Sequence, residues 1–396
     1  APAPGAETPK LAANAPAYPT APEHEAAPTL PEEGVTAEQP AASDEAVAPP
    51  QSSARPQPGE PAPLSDAAPL EPAEPALGRV PSETKVTFPE DRSMGVLSVR
   101  DAGTLDPWKT LGDTCGTMVV PAGKELRLDI SEEGMQDLSA LGHVAPDGLV
   151  EISLRGLPVT GSSLAHLRHL SGLEGLYLGN TEVTDVALAH LHDLTSLKTL
   201  DLEQTAVTDA GLAHLEGLVS LRELNLYGTE ISDAGLAYLA NLVHLEGLYL
   251  GGAPKISGPG LAYLAQMKDL KRLNLWGTAL TDDALALLEP LTSLTDLDLG
   301  DTALSDASLR HLARLTRLQD VGLGQTAVTG AGLASLRPLP HLVALDVRRL
   351  ELTEEGIANL KELDGLRTLN LAMATLPEGA LSELERALPA CAIRTQ

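Results

Sequence analysis

The stretch from Leu197 to Ser220 reads LKTLDLEQTAVTDAGLAHLEGLVS, and variants of it fill most of the chain. Units that open with the same leucine follow one another without a break. Eight of the nine intervals between these leucines are 24 residues and one is 25, and the units start at Leu149, Leu173, Leu197, Leu221, Leu245, Leu270, Leu294, Leu318, Leu342 and Leu366. An internal repeat of this length is the signature of stacked supersecondary units, so the repeat decides the fold.

Within each unit the leucines follow two different periods. Leucines at the fourth and sixth positions, such as Leu200 and Leu202, alternate with polar residues, which predicts a short strand with one buried side. Leucines at the sixteenth, nineteenth and twenty-second positions recur every three residues, which predicts a short helix or 3₁₀ turn. No unit can bury its leucines alone. We therefore expect the units to stack into a parallel-sheet solenoid, with the strands inside its curve and the helices outside.

A hydroxyl residue and an aspartate stand between the strand and the helix of many units. The pairs are Thr184-Asp185, Thr208-Asp209, Ser232-Asp233, Thr281-Asp282 and Ser305-Asp306. We expect the hydroxyl to cap the free amides at the helix start and the carboxylate to favour the positive end of the helix dipole. The pairs therefore predict where the helices begin.

Over residues 126–396 this pattern resembles the leucine-rich-repeat family. That family usually carries asparagine at the ninth position, where this chain has threonine at Thr181, Thr205, Thr229, Thr278, Thr302 and Thr326. A threonine hydroxyl can still bond the turn backbone, although it has fewer donors than an amide. The unit is similar to bacterial 24-residue repeats of a Thr-Asp type. The resemblance implies an α/β leucine-rich-repeat solenoid, with a curved parallel β-sheet inside and short helices or 3₁₀ turns outside.

Two other segments precede the regular repeats. The first 80 residues contain 18 prolines and 12 acidic against 3 basic residues, which predicts a disordered tether over residues 1–84. Short alternating apolar runs over residues 85–148 predict a small β-containing N-terminal cap that ends in an irregular first repeat. We expect the repeats over residues 149–388 and a C-terminal cap or tail over residues 389–396.

The charge of the chain excludes several kinds of partner. Its 396 residues include 27 basic and 55 acidic side chains, and the net charge of -28 argues against nucleic acid and anionic membranes. No apolar run is long enough to predict insertion into a membrane. The chain starts at Ala1 without a leader, which indicates a removed targeting segment or an internal start. We expect a secreted or cell-envelope protein, with the cytoplasm as the alternative.

The outward strand positions are the third, fifth and seventh of each unit, and they line the concave face on which members of the resembling family usually bind. Four of the nine aromatic residues lie there. Tyr227, Tyr249 and Trp276 follow a diagonal with α-carbons about 8 Å apart, which predicts one aromatic patch. With polar neighbours, the predicted ligand-binding residues are Tyr177, Asp201, Glu203, Asn225, Tyr227, Tyr249, Asn274, Trp276 and Asp298.

Other side chains suggest chemistry, and for each we favour a structural role. The histidines at the eighteenth position, His166, His190, His214 and His311, are interpreted as a solvated helix face and not as a metal site. Paired carboxylates could indicate glycoside hydrolysis, but on an open sheet we expect water to keep both ionised. Cys115 is interpreted as a packed cysteine of the cap, and Cys391 as part of the seal on the last unit.

These features predict a non-enzymatic recognition module that binds a protein or peptide and needs no cofactor or metal. Carboxylates are expected around the aromatic patch: Asp201, Glu203 and Glu223 on one flank, and Asp296, Asp298, Asp301 and Asp320 on the other. A basic partner would suit them, and a glycan is a further candidate. The alternative is a carbohydrate or cell-wall binder that uses the aromatic rings as stacking platforms. A second alternative is an effector-like adaptor.

Overall fold

The structure is a computed structural model that describes residues 83–395. The predicted tether, residues 1–84, lies outside the described residues except for Glu83 and Thr84, which belong to the first strand. The strands are β1 (Glu83–Thr87), β2 (Gly95–Asp101), β3 (Lys109–Asp113), β4 (Thr117–Pro121), β5 (Lys124–Ile130), β6 (Glu151–Ser153), β7 (Gly175–Tyr177), β8 (Thr199–Asp201), β9 (Glu223–Asn225), β10 (Gly247–Tyr249), β11 (Arg272–Asn274), β12 (Asp296–Asp298), β13 (Asp320–Gly322), β14 (Ala344–Asp346), β15 (Thr368–Asn370) and β16 (Ala392–Arg394).

Short helices alternate with the strands from the cap to the C-terminus. The α-helices are α1 (Glu132–Met135), α2 (Gly161–Leu164), α3 (Asp185–Leu188), α4 (Asp209–Leu212), α5 (Asp306–Leu309), α6 (Glu354–Lys361) and α7 (Ala380–Ala387). The 3₁₀ helices span Leu138–His143, Ala165–Leu167, Ala189–Leu191, Ala213–Leu215, Gly235–Leu239, Pro259–Gln266, Asp282–Leu288, Leu312–Arg314 and Gly332–Leu336. Within residues 83–395 no helix is long and apolar enough to cross a membrane.

One long sheet runs through the described chain and confirms the predicted leucine-rich-repeat solenoid. From β5 to β16 each strand pairs in parallel with the next, in chain order. At the N-terminal end, β2 pairs antiparallel with β5 and carries β3 on its other side, while β1 and β4 form a separate two-stranded sheet. Two strands were not predicted. They are β3 in the cap and β16, which adds a parallel strand within the expected C-terminal tail.

The core is a stack of aliphatic side chains between the sheet and the helices. Strand leucines pair in register across neighbouring strands, as Leu176 does with Leu200. They are fully buried, and so are the helix leucines such as Leu212 and Leu215. Removing this apolar area from water stabilises the stack by about 25 cal/mol per Å², and each unit supplies one layer of it.

The threonine at the ninth position closes the turn that follows each strand. Its hydroxyl donates to the carbonyl three residues earlier, as Thr229 does to Leu226 at 2.7 Å and Thr278 to Leu275 at 2.6 Å. The residue before it has a positive φ, which is why Gly228 and Gly277 suit this position in the central units. Each threonine therefore bonds the turn within its own unit.

The aspartate that follows the hydroxyl residue bonds the next unit, which the sequence did not predict. Asp209 accepts from the backbone N–H and the hydroxyl of Ser232 at 2.7 and 2.6 Å, and Asp185 does the same for Thr208 at 2.7 Å. The predicted hydroxyl cap forms in three of the five pairs, where Thr208, Ser232 and Ser305 accept from an amide two residues on.

At the two remaining pairs, Thr184 and Thr281, the predicted hydroxyl cap is absent. In the unit before each of them a glycine, Gly161 or Gly258, stands where the aspartate would be. Thr353 caps α6 although the unit before it also has a glycine, Gly330, at this position, so the cap does not require the aspartate. The aspartate acts mainly as a bond between units.

One cysteine differs from its predicted environment. Cys115 is exposed, with its thiol 3.2 Å from the carbonyl of Glu90, so the interpretation as a packed cap residue is wrong. It lies in the connection between β3 and β4, where the neighbouring Thr114 and not the cysteine is buried. Cys391 is half-buried against the core beside β16, and burial raises the pKa of its thiol.

Candidate ligand-binding face

The sheet face is defined here by the third, fifth and seventh positions of the repeats, whose side chains leave the sheet on the side away from the leucine core. Positions of equal number stand beside each other on neighbouring strands. Asn225, Tyr249 and Asn274 form one such row, and Glu223, Gly247 and Arg272 form another. Each row is spaced by the strand separation of about 4.8 Å, so a long side chain reaches one or two strands away.

Tyr227 and Trp276 form a stacked pair at the centre of the sheet face. Their ring centroids lie 6.3 Å apart with 20° between the planes, and both side chains are half-buried. Gly251 occupies the seventh position of the strand between them. A Cβ there would lie 2.8 Å from two ring atoms of Tyr227, and a Cβ at Gly300 would lie 2.8 Å from Trp276 Cδ1. The two glycines give each ring room to lie on the neighbouring strand.

The other two predicted aromatic residues are held by acidic side chains. The Tyr249 hydroxyl donates to Glu223 at 3.4 Å and accepts from Arg272 Nε at 3.1 Å, and Arg272 also pairs with Glu223. The Tyr177 hydroxyl donates to Glu151 at 3.2 Å. Burial raises the pKa of Glu223 and of Glu151. The three predicted rings therefore do not form one patch. Tyr249 bonds Glu223 and Arg272, which stand at third positions, while Tyr227 and Trp276 stack on each other.

Arginines neutralise most of the carboxylates on the sheet face. Arg155 lies over Gly179 and donates to Asp201 and Glu203 at 2.6 Å each. Asp201 is only 4% exposed, and burial raises the pKa of its carboxyl group although Arg155 opposes this shift. The expectation that water keeps such carboxylates ionised is wrong for Asp201, because this group is buried and bonded to Arg155.

The two predicted asparagines hold the aromatic residues in position. Asn225 Oδ1 accepts from the backbone N–H of Tyr227, and Asn274 Oδ1 from that of Trp276, at 3.0 Å in both cases. Asp298 makes the same contact with the backbone N–H of Gly300 at 3.0 Å. In these units the side-chain oxygen at the fifth position therefore accepts a hydrogen bond from the backbone N–H at the seventh position. These side chains face outward and also orient the end of the strand.

Three carboxylates next to this centre form no ion pair with an arginine, although the charge of Arg348 acts on one of them, Asp298. They lie on β12 and β13, and none of the ion pairs within residues 83–395 includes them: Asp296, Asp298 and Asp320. Asp320 is exposed to solvent, but desolvation by its neighbours on the sheet and the carboxylates of Asp296, Asp298 and Asp346 raise its pKa to about 6. Burial likewise raises the pKa of Asp298. This part of the face therefore has an excess of negative charge.

The predicted histidine column lies on the helix side. His166 and His214 are exposed, and His311 Nδ1 lies 2.7 Å from Glu289 Oε1. In the described part of the chain no group of three or more histidine, cysteine or acidic side chains is placed to hold a metal ion. Two shallow depressions also lie away from the sheet face, one beside Met135 and Ser162 and one beside Asp233 and Tyr263.

Sequence reasoning missed the residues that organise the face. Arg155 and Arg272 neutralise its carboxylates, and Gly251 makes room for the aromatic pair. One signal in the sequence could have found the glycines, Gly179 and Gly251, on which Arg155 and Tyr227 lie. The segment LEGLYLG occurs at 173–179 and again at 245–251, and in both copies the tyrosine bonds a glutamate of the preceding strand.

Comparison with known proteins adds only distant likenesses. No family model matches the chain, and no curated protein is similar to it. An internalin (inlF) from Listeria monocytogenes is 22% identical over 65% of this chain and 83% of its own, with a TM-score of 0.47. An internalin C2 from the same species is 22% identical over 57% of this chain and 82% of its own, with a TM-score of 0.42. The plant peptide hormone receptor RGFR1, in complex with RGF2, is 17% identical over 63% of this chain and 47% of its own, with a TM-score of 0.41. Likenesses at this level transfer no ligand, so the function has to be argued from the chain's own residues.

Proposed function

We propose that this leucine-rich-repeat chain is a non-enzymatic recognition module that binds a protein or peptide on its sheet face. The observation that carries the proposal is the stacked pair of Tyr227 and Trp276, half-exposed and supported by glycines on the strands beside them. Aromatic side chains of this kind supply most of the binding energy at protein interfaces, because they bury a large area with few rotatable bonds.

The form of the face favours a macromolecule. The sheet is open, and arginines of the chain pair with most of the carboxylates at its outward positions. A binding surface with a central aromatic pair and a charged surround has the composition of a protein interface. The charged surround then selects partners and steers their approach.

The setting of the module is also part of the proposal. The proline-rich and acidic composition of residues 1–84 supports a flexible tether in front of a cap and a repeat domain. A tethered recognition domain suits a secreted or envelope protein, and the Thr-Asp unit suits a bacterial repeat of 24 residues. Separation of producing cells into medium, envelope and cytoplasm, with detection of the protein in each fraction, would test this setting.

A random peptide library displayed on phage tests the binding face. We expect peptides selected on the full chain to lose roughly 2 kcal/mol or more of binding free energy, about 30-fold in Kd, with Tyr227→Ala or Trp276→Ala. Tyr263→Ala is the matched control, because Tyr263 is an exposed tyrosine (47%) on the helix side. Normal binding by both ring variants, with loss in the control, would refute the assignment of the face. A glycan array run in parallel tests the carbohydrate alternative, which would give hits that the peptide library does not.

A further inference from the structure

We infer that the sheet face binds a proline-rich peptide that carries a basic residue. The proline rings pack on Tyr227 and Trp276, the peptide carbonyls accept hydrogen bonds from these two side chains, and the basic residue lies beside Asp298 and Asp301. The inference rests on the proposed function, because it names the chemistry of the partner for the same face.

The two rings offer an apolar surface long enough for several prolines. Cδ2 and Cε2 of Tyr227 lie 2.8 Å from the Cβ position of Gly251, and its Cε1 lies 3.6 Å from that of Gly252, so the ring lies across both glycines. Its centroid is 6.3 Å from that of Trp276 with 20° between the planes, an offset arrangement that leaves part of each ring uncovered by the other. The pair extends from β9 to β12, about 14 Å, and four prolines of a polyproline II helix cover about 12 Å.

Each of the two rings carries a hydrogen-bond donor that has no acceptor within residues 83–395. These donors are the Tyr227 hydroxyl and the Trp276 indole N–H, whereas the hydroxyls of Tyr177 and Tyr249 on the same face donate to glutamates. In this part of the chain Arg92 Nε is the only fully buried side-chain nitrogen or oxygen without a partner, so both ring donors are in contact with solvent. Tyrosine and tryptophan donors usually find a partner when they are buried, so a ligand that covers the rings has to supply acceptors.

The backbone of the sheet is not available to a ligand on this face. Each strand from β9 to β12 has a parallel neighbour on both sides, so its N–H and C=O groups are paired within the sheet. A peptide without proline would bury N–H groups over the rings with no acceptor, which is unfavourable. Proline has no N–H, and a polyproline II helix has no internal hydrogen bonds, so its carbonyls are free to accept. The exposed rings and their donors therefore favour the kind of segment that docks on aromatic grooves in other recognition domains.

Charge complementarity specifies the basic residue of the peptide. Asp298 Oδ1 and Trp276 Cδ1 lie 3.3 and 2.8 Å from the same point, the Cβ position of Gly300, so a carboxylate stands beside the ring. Asp301 Oδ2 lies 3.8 Å from the Cβ position of Gly277, the residue after Trp276. None of the ion pairs within residues 83–395 includes either carboxylate. A basic side chain at this end of the peptide complements the two charges and orients the peptide on the rings.

The test follows the two indole N–H signals of the full chain by NMR. Trp108→Phe assigns the signal of Trp276, and Trp108 itself is an internal control, because it lies in the cap against Arg100 at 4.2 Å. The probes are blocked hexapeptides with four prolines between two arginines, four prolines between two glutamines, and four alanines between two arginines. We expect the first probe to move the Trp276 signal downfield with a Kd on the order of 1 mM, the glutamine probe to bind about threefold more weakly, and the alanine probe about tenfold more weakly or not at all.

Matched variants separate the three kinds of contact. Tyr227→Phe keeps the ring and removes only the hydroxyl, so it should weaken the arginine and proline probe about threefold to tenfold, while Tyr263→Phe on the helix side should not. Asp298→Asn with Asp301→Asn should lower the affinity of that probe to the affinity of the glutamine probe, which should itself be unchanged. An asparagine at 298 can still accept the Gly300 N–H, so the backbone of the strand end keeps its bond.

The results also separate this inference from the proposed function. Equal affinity for the proline and alanine probes, a shift of the Trp108 signal in place of the Trp276 signal, or unchanged binding by Tyr227→Phe overturns the proline site. If library peptides still depend on Tyr227 or Trp276 in that case, the recognition face stands and only the chemistry of its peptide is wrong. If neither the probes nor the library peptides depend on the two rings, the proposed function fails as well.

Discussion

Gly235→Ala should destabilise the protein although alanine favours helices over glycine. Gly235 begins a 3₁₀ helix and faces the aspartate of the preceding unit. A Cβ at this position would lie 2.2 Å from Asp209 Oδ1, and that carboxylate accepts the backbone N–H and the hydroxyl of Ser232 at 2.7 and 2.6 Å. The added methyl group therefore displaces the carboxylate and breaks the bonds between two units.

The magnitude follows from the two hydrogen bonds. Bonds to a charged group contribute about 1.5 to 3 kcal/mol each, and both lie at a half-buried site, so Asp209→Gly should cost about 2 to 4 kcal/mol. Gly235→Ala should cost about 0.5 to 1 kcal/mol less, because the helix gains propensity. The two changes remove the same bonds, so the double variant should cost little more than either one. The expected coupling is about 2 kcal/mol.

The chain already contains the combination that the double variant creates. Gly161 stands where other units have the aspartate, and in the next unit Ala187 stands at the position that corresponds to Gly235. A Cβ added at Gly161 would lie 3.6 Å from Ala187 Cα. Gly258 and Ala284 form a second such pair. A small residue in one unit thus allows a larger one in the next, which supports a steric coupling between the two sites.

Urea denaturation of the wild type, the two single variants and the double variant measures the coupling, provided that the m-values agree. Gly217→Ala is the matched control, because Gly217 has no atom within 4 Å of its Cβ position and reports only the effect of replacing glycine. Additive costs in the double variant, or a stabilised Gly235→Ala protein, would refute the steric account.

Three further predictions concern the turn, the acidic sites and the N-terminal segment. Thr229→Val removes the hydroxyl that donates to the Leu226 carbonyl and should cost about 1 to 2 kcal/mol in urea denaturation; an unchanged midpoint would show that the methyl group alone stabilises the turn. The folded pKa of Asp320, about 6, is above the ordinary 3.8, so its ionised carboxylate costs stability above about pH 6 and ceases to do so as the pH falls below about 4. Asp320→Asn should therefore raise Tm by about 1 to 3 °C at pH 7.5 and by less at pH 4, and an equal gain at both pH values would contradict the assignment. Deletion of residues 1–80 should leave Tm within about 2 °C, since their composition supplies no core; a larger drop in calorimetry would mean that the segment packs on the repeats.

The sequence by itself determined the repeating part of this protein. The leucine periods placed a strand and a helix in every unit, and the threonines marked the turns, because these elements depend on residues close together in the chain. The fold could therefore be predicted from a single unit and its repetition. The ends could not, since β3 and β16 are short and lack the full pattern, and they exist only because a sheet edge is there to pair with.

The tertiary structure decided which side chains meet across units. The sequence placed Asp209 at a helix start, but only stacking brings it to Ser232 of the next unit. It placed Tyr249 and Trp276 on the same face, but the neighbours of each ring determine that one bonds Glu223 and the other stacks on Tyr227. Such contacts join residues 20 to 50 positions apart and depend on rotamers and on glycines in between. A local pattern cannot specify them, because it fixes the direction of a side chain and not the partner that it reaches.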